Sequence, residues 1–164
     1  MSDGSALPPD PASYRTVLGH FATGVTVVTA LDGGDPVGMA ANSFTSVSLD
    51  PPLVLFCASK TSTTWPRIRR AGAFTANILG EHQEDVCRVF AEPGADRFRR
   101  VGYRVGAGGS PILRDALAWV DCRIETEHDA GDHVIVVGRV IELGVGSGAG
   151  PLVFYRGGYT RLAV

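Results

Sequence analysis

Two hydroxyl-rich segments carry most of the chemical potential of this chain. Asn42, Ser43, Thr45, Ser46 and Ser48 lie just before the apolar run Leu53–Ala58, and Ser59-Lys60-Thr61-Ser62-Thr63-Thr64 lies just after it. Hydroxyls this dense around a buried strand suit a polar, phosphorylated ligand lying along the sheet. In the second segment a strand passes into a helix, so the hydroxyls, Lys60 and the free amides of the helix start could converge on one phosphate. The same residues could equally form an ordinary N-cap with solvent-facing hydroxyls. For the first segment, the solvated face of an edge strand explains Ser46 and Ser48 just as well, and the residues alone leave both alternatives open. His133 opens a strand after Asp129-Ala130-Gly131-Asp132. It could stack near a ring system or help place a hydride donor, or it could be a solvated strand end. Tyr155, Arg156 and Tyr159 form an aromatic–cation group that could cover a planar ligand, contact a phosphate, cap a barrel end or build a dimer seam.

Other chemistries find little support. Gly144-Val145-Gly146-Ser147-Gly148-Ala149 follows a strand as a dinucleotide fingerprint would, but Pro151 and another apolar strand come next instead of a helix. No Walker loop, Gly-x-Ser-x-Gly elbow or His-Glu-x-x-His is present. His128 and His133 lack the cysteine and histidine neighbours a metal shell needs. Cys57, Cys87 and Cys122 are odd in number and far apart, so reduced core thiols are expected, not a disulfide scaffold or a nucleophile. The net charge of -2 comes from 15 basic and 17 acidic residues mixed along the chain. That mixing gives no basic run for nucleic acid. The longest apolar run is far shorter than the ~20 residues that cross a bilayer. With no charged start and apolar stretch at the N-terminus, a cytosolic protein is expected.

The elements that must position these residues read as many strands and few helices. Residues 1–10 are polar and proline-bearing, an expected tail before one domain over 11–164. Asp10-Pro11 supplies an N-cap and a first-turn proline, Val17, Leu18 and Phe21 share a helix face, and Gly24 is the expected stop. Strands are predicted at Val25–Leu31, Val37–Ala41, Phe44–Leu49, Leu53–Ala58 and Phe74–Leu79, the fourth covered on both faces. In the third, Thr45, Val47 and Leu49 face opposite to Phe44, Ser46 and Ser48. A short helix is predicted at Thr64–Arg70, capped by Ser62 or Thr63, and an amphipathic one at Glu81–Ala91. Glu92–Pro111 reads as a long loop. Ala118–Glu125 alternates as a half-exposed strand with Asp121 outward, followed by strands at His133–Leu143, Leu152–Tyr155 and Tyr159–Leu162. With 164 residues and 45% apolar content, one antiparallel barrel is expected over a doubly wound sheet.

The ordered motifs resemble the short-chain flavin reductases, the reductase components of two-component flavin-dependent monooxygenases. The resemblance runs from about Tyr14 to Leu162. It rests on Thr23-Gly24-Val25-Thr26-Val27-Val28-Thr29, Gly38 to Ser48, Asp50-Pro51-Pro52-Leu53-Val54, Ser62-Thr63-Thr64, Phe74 to Leu79, Asp96-Arg97-Phe98, and Gly131-Asp132-His133 with Val136 to Val140. It implies a mainly β split barrel of the FMN-binding type, dimeric, in which hydride passes from NADH or NADPH to FMN or FAD, and reduced flavin feeds a separate monooxygenase. By the same resemblance Met39, Ala40, Ala41, Asn42, Ser43 and Ser46 hold the ribityl chain and ring edge, with Cys57 and Ala58 beside them. Ser59, Lys60, Ser62 and Thr63 take the phosphate, and Asn77 lies beneath the ring. His133 stands near the nicotinamide as the catalytic candidate, and Tyr155, Arg156 and Tyr159 close the pocket. Trp65-Pro66 departs from this pattern, because Pro66 removes an N–H that a phosphate could use. Two alternatives remain. One is an oxidase of the pyridoxamine-phosphate type, which would need a second phosphate pocket from Arg97, Arg99, Arg100 and Arg104. The other is a flavin-binding module without catalysis.

Overall fold

Asp10 opens the first element in the computed structural model, which describes residues 6–94, 96–148 and 150–163. Its carboxylate accepts from Ala12 N and Ser13 N at 3.0 Å each and starts α1, Pro11–Leu18. The helix ends earlier than the sequence predicts: after Gly19 N bonds Arg15 O, the bonds tighten to three-residue turns, His20 N to Val17 O and Phe21 N to Leu18 O. Val17, Leu18 and Phe21 stay exposed, and α1 buries none of its side chains. A two-residue strand β1, Thr23–Gly24, takes the place of the expected helix end. Half of the expected 1–10 tail lies outside the described residues, and 6–10 are exposed.

The hairpin of β2 (Thr26–Asp32) and β3 (Asp35–Ala41) turns through Gly33 and Gly34, both at positive φ, which glycine adopts at little cost. β4 (Thr45–Leu49) pairs with β5 (Pro52–Ser59), and α2 spans Trp65–Ala71. A register shift between Ser46 and Ser48 breaks the predicted β4 alternation, and most of that strand is exposed. β5 is not covered evenly on both faces: Val54, Phe56 and Ala58 are buried and the alternate residues are half-buried.

β6 (Ala73–Ile78) is nearly all buried, and α3 covers Glu84–Ala91, three residues shorter at its start than expected. The predicted loop 92–111 contains a 3₁₀ turn at Arg97–Arg100 and β7, Tyr103–Val105, which pairs with β8, Pro111–Leu113. β9 (Ala118–Ala130) and β10 (His133–Val145) form the longest ladder, and β11 (Leu152–Tyr155) pairs with β12 (Gly158–Arg161) and β1.

The main sheet has seven antiparallel strands in the order β3-β2-β6-β9-β10-β5-β4. Among the described residues β3 and β4 do not pair, so the ladder is not closed into the expected barrel. Val37 of β3 and Val54 of β5 nevertheless share one core with Val28, Phe74 and Val136, so the sheet curls its two ends around common packing. Phe56 sits edge-on to Phe74 at 5.0 Å and Trp65 at 6.0 Å, which docks α2 onto that core.

Asp121 corrects another expectation. It is fully buried, not outward, and accepts from Thr75 Oγ1 at 3.0 Å and Gly108 N at 2.6 Å. A Cβ on Gly108 would come within 2.7 Å of that carboxylate, so the close approach requires glycine.

Candidate functional site

The β3–β4 connection brings the first hydroxyl segment to the end of β5. Ser43 Oγ accepts from Cys57 N at 2.9 Å and reaches Cys57 O at 3.3 Å, which latches the connection onto β5. From there β5 carries Cys57, buried Ala58 and half-buried Ser59, and pairs with β10 in a register that sets His133 opposite Ser59. Lys60 N donates to Asp132 O at 3.0 Å, and Lys60 Nζ lies 3.3 Å from Asp129, so the β9–β10 turn packs beside the second segment. His133 Nδ1 stands 2.7 Å from Asp132 Oδ1, leaving Nε2 for another partner. That contact holds the Asp132 carboxyl below its ordinary range.

In the second segment the hydroxyls are partly committed to the fold. Ser59 Oγ and Thr61 Oγ1 are 2.9 Å apart. Ser62 Oγ accepts from Thr64 N at 3.2 Å and Trp65 N at 3.1 Å, the cap that the sequence allowed. Those two amides are occupied by Ser62 and Pro66 has none, so they are not free for a phosphate. What remains are the hydroxyls of Ser59 to Thr64 and nearby cations.

On the other side of Asn42 lies a cavity of about 180 Å³ walled by Val25, Ala40, Ala41, Asn42, Phe154 and Tyr159, together with Cys87. Ala40, Ala41, Asn42 and Tyr159 are thus brought together from β3 and β12. Met39 packs into the sheet's core and does not line the cavity, and Ser46 is exposed on β4. Cys87 is the residue that sequence reasoning missed. On α3 it shares the buried face with Phe90, so it reads as a small hydrophobe. Its Sγ lies 3.2 Å from Tyr159 Oη. Burial raises the Cys87 thiol, and the bond to Cys87 together with burial pushes the Tyr159 phenol up to about 12, so both stay protonated near neutral pH. Arg88 stands over the Tyr159 ring at 5.1 Å and fixes the aromatic wall from outside.

Three expected residues lie elsewhere. Asn77 has no exposed surface: its amide nitrogen donates to Val27 O and Thr29 Oγ1 at 3.0 Å each, and its oxygen accepts from Leu113 N at 2.8 Å. It pins β8 beneath the sheet, with its amide fully bonded within the chain. Tyr155 and Arg156 sit at the β11–β12 turn against the end of α1, with Arg156 N donating to Gly19 O at 2.8 Å and His20 edge-on to Tyr155. The four arginines named for a second phosphate pocket do not converge. Arg99 pairs with Asp96, Arg104 covers Trp119, and Arg97 bonds Gly38 O at 2.6 Å.

A family model described as flavin reductase like domain matches residues 18–163. The chain belongs to that family. It is 50% identical over 155 residues to a flavin reductase of Pseudomonas putida, covering 94% of this chain and 91% of that protein. It is 48% identical over 153 residues to the reductase subunit HsaB of a flavin-dependent monooxygenase from Rhodococcus jostii, covering 93% and 78%. Among solved structures, the Streptomyces globisporus C-1027 NADH:FAD oxidoreductase is 38% identical with a TM-score of 0.91 and full coverage of both chains. The same protein has been solved in complex with NAD and FAD fragments. This agreement over nearly the whole length extends the likeness of the motifs to the arrangement of the elements.

Proposed function

We propose that the chain is an NAD(P)H:flavin oxidoreductase that passes reduced flavin to a separate monooxygenase. Relatives of this length and identity are flavin reductases and reductase subunits, and the chain shares their family over 18–163. The observation that carries the proposal is the continuity of the site. The cavity walled by Ala40, Ala41, Asn42 and Tyr159 ends at Asn42, the next residue Ser43 is bonded to Cys57 of β5, and β5 ends two residues on at Ser59, opposite His133.

These residues fit a flavin. The small alanines and the Phe154–Tyr159 pair suit a planar ring, and the exposed Asn42 amide suits its polar edge. The hydroxyls of Ser59, Thr61 and Thr63 and the Lys60 ammonium suit a ribityl phosphate. When bound, the flavin supplies the redox chemistry, accepting hydride from the nicotinamide. The chain's own residues bind, orient and exclude water. Ser43 holds the β3–β4 connection against β5, and His133 stands at the strand end where a nicotinamide would be positioned. Tyr159 and Cys87 stay protonated near neutral pH, so neither acts as a general base at that face.

The finer architecture follows from the curled sheet and bare α1. We infer a split barrel, with the β3 and β4 edges curled around the core that Val37 and Val54 share, and a second copy over the apolar side chains of α1. The absence of convergence among Arg97, Arg99, Arg100 and Arg104 disfavours the pyridoxamine-phosphate alternative.

The test is NADH and NADPH oxidation by the purified protein with and without riboflavin, FMN or FAD. Turnover that requires added flavin, with reduced flavin recovered in the filtrate, is the expected outcome. A protein that binds flavin but oxidises neither nucleotide would be a binding module instead.

A further inference from the structure

A second cavity, of about 380 Å³, adjoins the hydroxyl segment and is not used by the site described above. It shares Thr63 with the phosphate-binding segment and adds Gly38, Thr64, Arg67 and Arg97. Its size falls within the range of small-molecule pockets, about 300–1,000 Å³.

Arg97 is the unusual group in it. Nη1 donates to Gly38 O at 2.6 Å and reaches Thr64 Oγ1 at 3.4 Å. Nε is buried and has no hydrogen-bond partner among the described residues. Burial also holds the guanidinium below its usual value. Arg97 lines the cavity with no acidic partner among the described residues, and its planar cationic fork matches a phosphate. Acidic neighbours do not cancel it. Asp32 is already bound by Arg67 at 2.8 Å and by Arg70, and Asp35 is solvent-exposed, 3.8 Å from Arg67.

We propose that this cavity takes the second phosphate of a flavin dinucleotide, with Arg97 as its ligand, so that the chain prefers FAD to FMN. The proposal rests on the flavin reductase function and narrows it to one flavin. The mononucleotide phosphate lies with Ser59 to Thr63, and the chain of contacts through Thr63 and Thr64 leads from there to Arg97. Lys60, held by Asp129 on the other side of the segment, is not part of this cavity.

Calorimetric titration of riboflavin, FMN and FAD into the wild-type protein, Arg97→Gln and Arg97→Lys tests it. The wild type should bind FAD at least about tenfold more tightly than FMN, the scale of one charge-assisted phosphate contact. Arg97→Gln should abolish that preference while FMN and riboflavin change less than about threefold, and Arg97→Lys should retain part of it because the charge remains. Equal wild-type affinities for FMN and FAD would overturn the proposal without needing any variant. So would equal losses of FMN and FAD in Arg97→Gln. A raised KM for NADPH alone, with the FAD-to-FMN ratio intact, would give the cavity to the nicotinamide nucleotide and also overturn it. A wild type that binds no flavin at all would instead remove the flavin reductase function itself.

Discussion

His133 meets Ser59 across the β5–β10 ladder and is held by Asp132, so its ring is placed by the fold before any ligand arrives. Replacing it with alanine should raise KM for the nicotinamide nucleotide roughly tenfold, the loss of one positioned contact. Flavin affinity should change less than about twofold, because the ring lies beyond the Ser59–Thr63 hydroxyls. Unchanged nicotinamide kinetics would remove His133 from the site. At this scale the sequence was only partly legible. Ser62 could be read as a cap and is one. Asn77 could not be separated from a ligand-facing residue, because the strand pattern places it without revealing that Val27, Thr29 and Leu113 converge on its amide. Cys87 gave no signal, since a thiol inside an amphipathic helix has the pattern of core packing.

Elements position the site through their ends. α2 is anchored to the β2–β3 hairpin by Arg67 and Arg70, which both bond Asp32 and hold its carboxyl far below the ordinary range. A carboxylate with a depressed native value stabilises the fold above its unfolded value, about 3.9, and loses that contribution as pH falls through the native value. Asp32→Asn should therefore be less stable than the wild type at pH 7 in urea denaturation, with the gap closing only below about pH 4. A gap that persists unchanged into acid would mean that the ion pair is not its source. Most strands and the three α-helices among the described residues were readable from alternation, caps and glycine turns. The misplaced boundaries share one cause: tertiary contacts decide them. Arg156 N bonds Gly19 O at the end of α1, β1 pairs with β11, and β7 and β8 form inside an apparent loop because Asn77 and Asp121 hold that segment against the sheet.

For the molecule as a whole, Tyr14, Val17, Leu18 and Phe21 are 65%, 54%, 48% and 74% exposed within one eight-residue stretch, apolar surface that a partner could cover. A second copy covering α1 predicts twice the monomer mass in light scattering at micromolar concentration. Val17→Asp with Phe21→Asp should shift that to the monomer with the fold retained, since neither side chain is buried within the chain. A wild type that stays monomeric at all accessible concentrations would contradict it. The antiparallel strands could be read from their alternation, but the closed barrel expected of them could not, because strand periodicity carries no record of whether the outer edges pair, and among the described residues β3 and β4 do not. The central claim is hydride transfer to a flavin held along Asn42–Ser46 and Ser59–Thr63. Its most direct test is anaerobic mixing of the protein and oxidised flavin with NADH or NADPH, following the flavin's visible absorbance. The predicted result is complete bleaching with one nucleotide oxidised per flavin. Retention of the oxidised spectrum with both nucleotides, by a protein that demonstrably binds flavin, would contradict it.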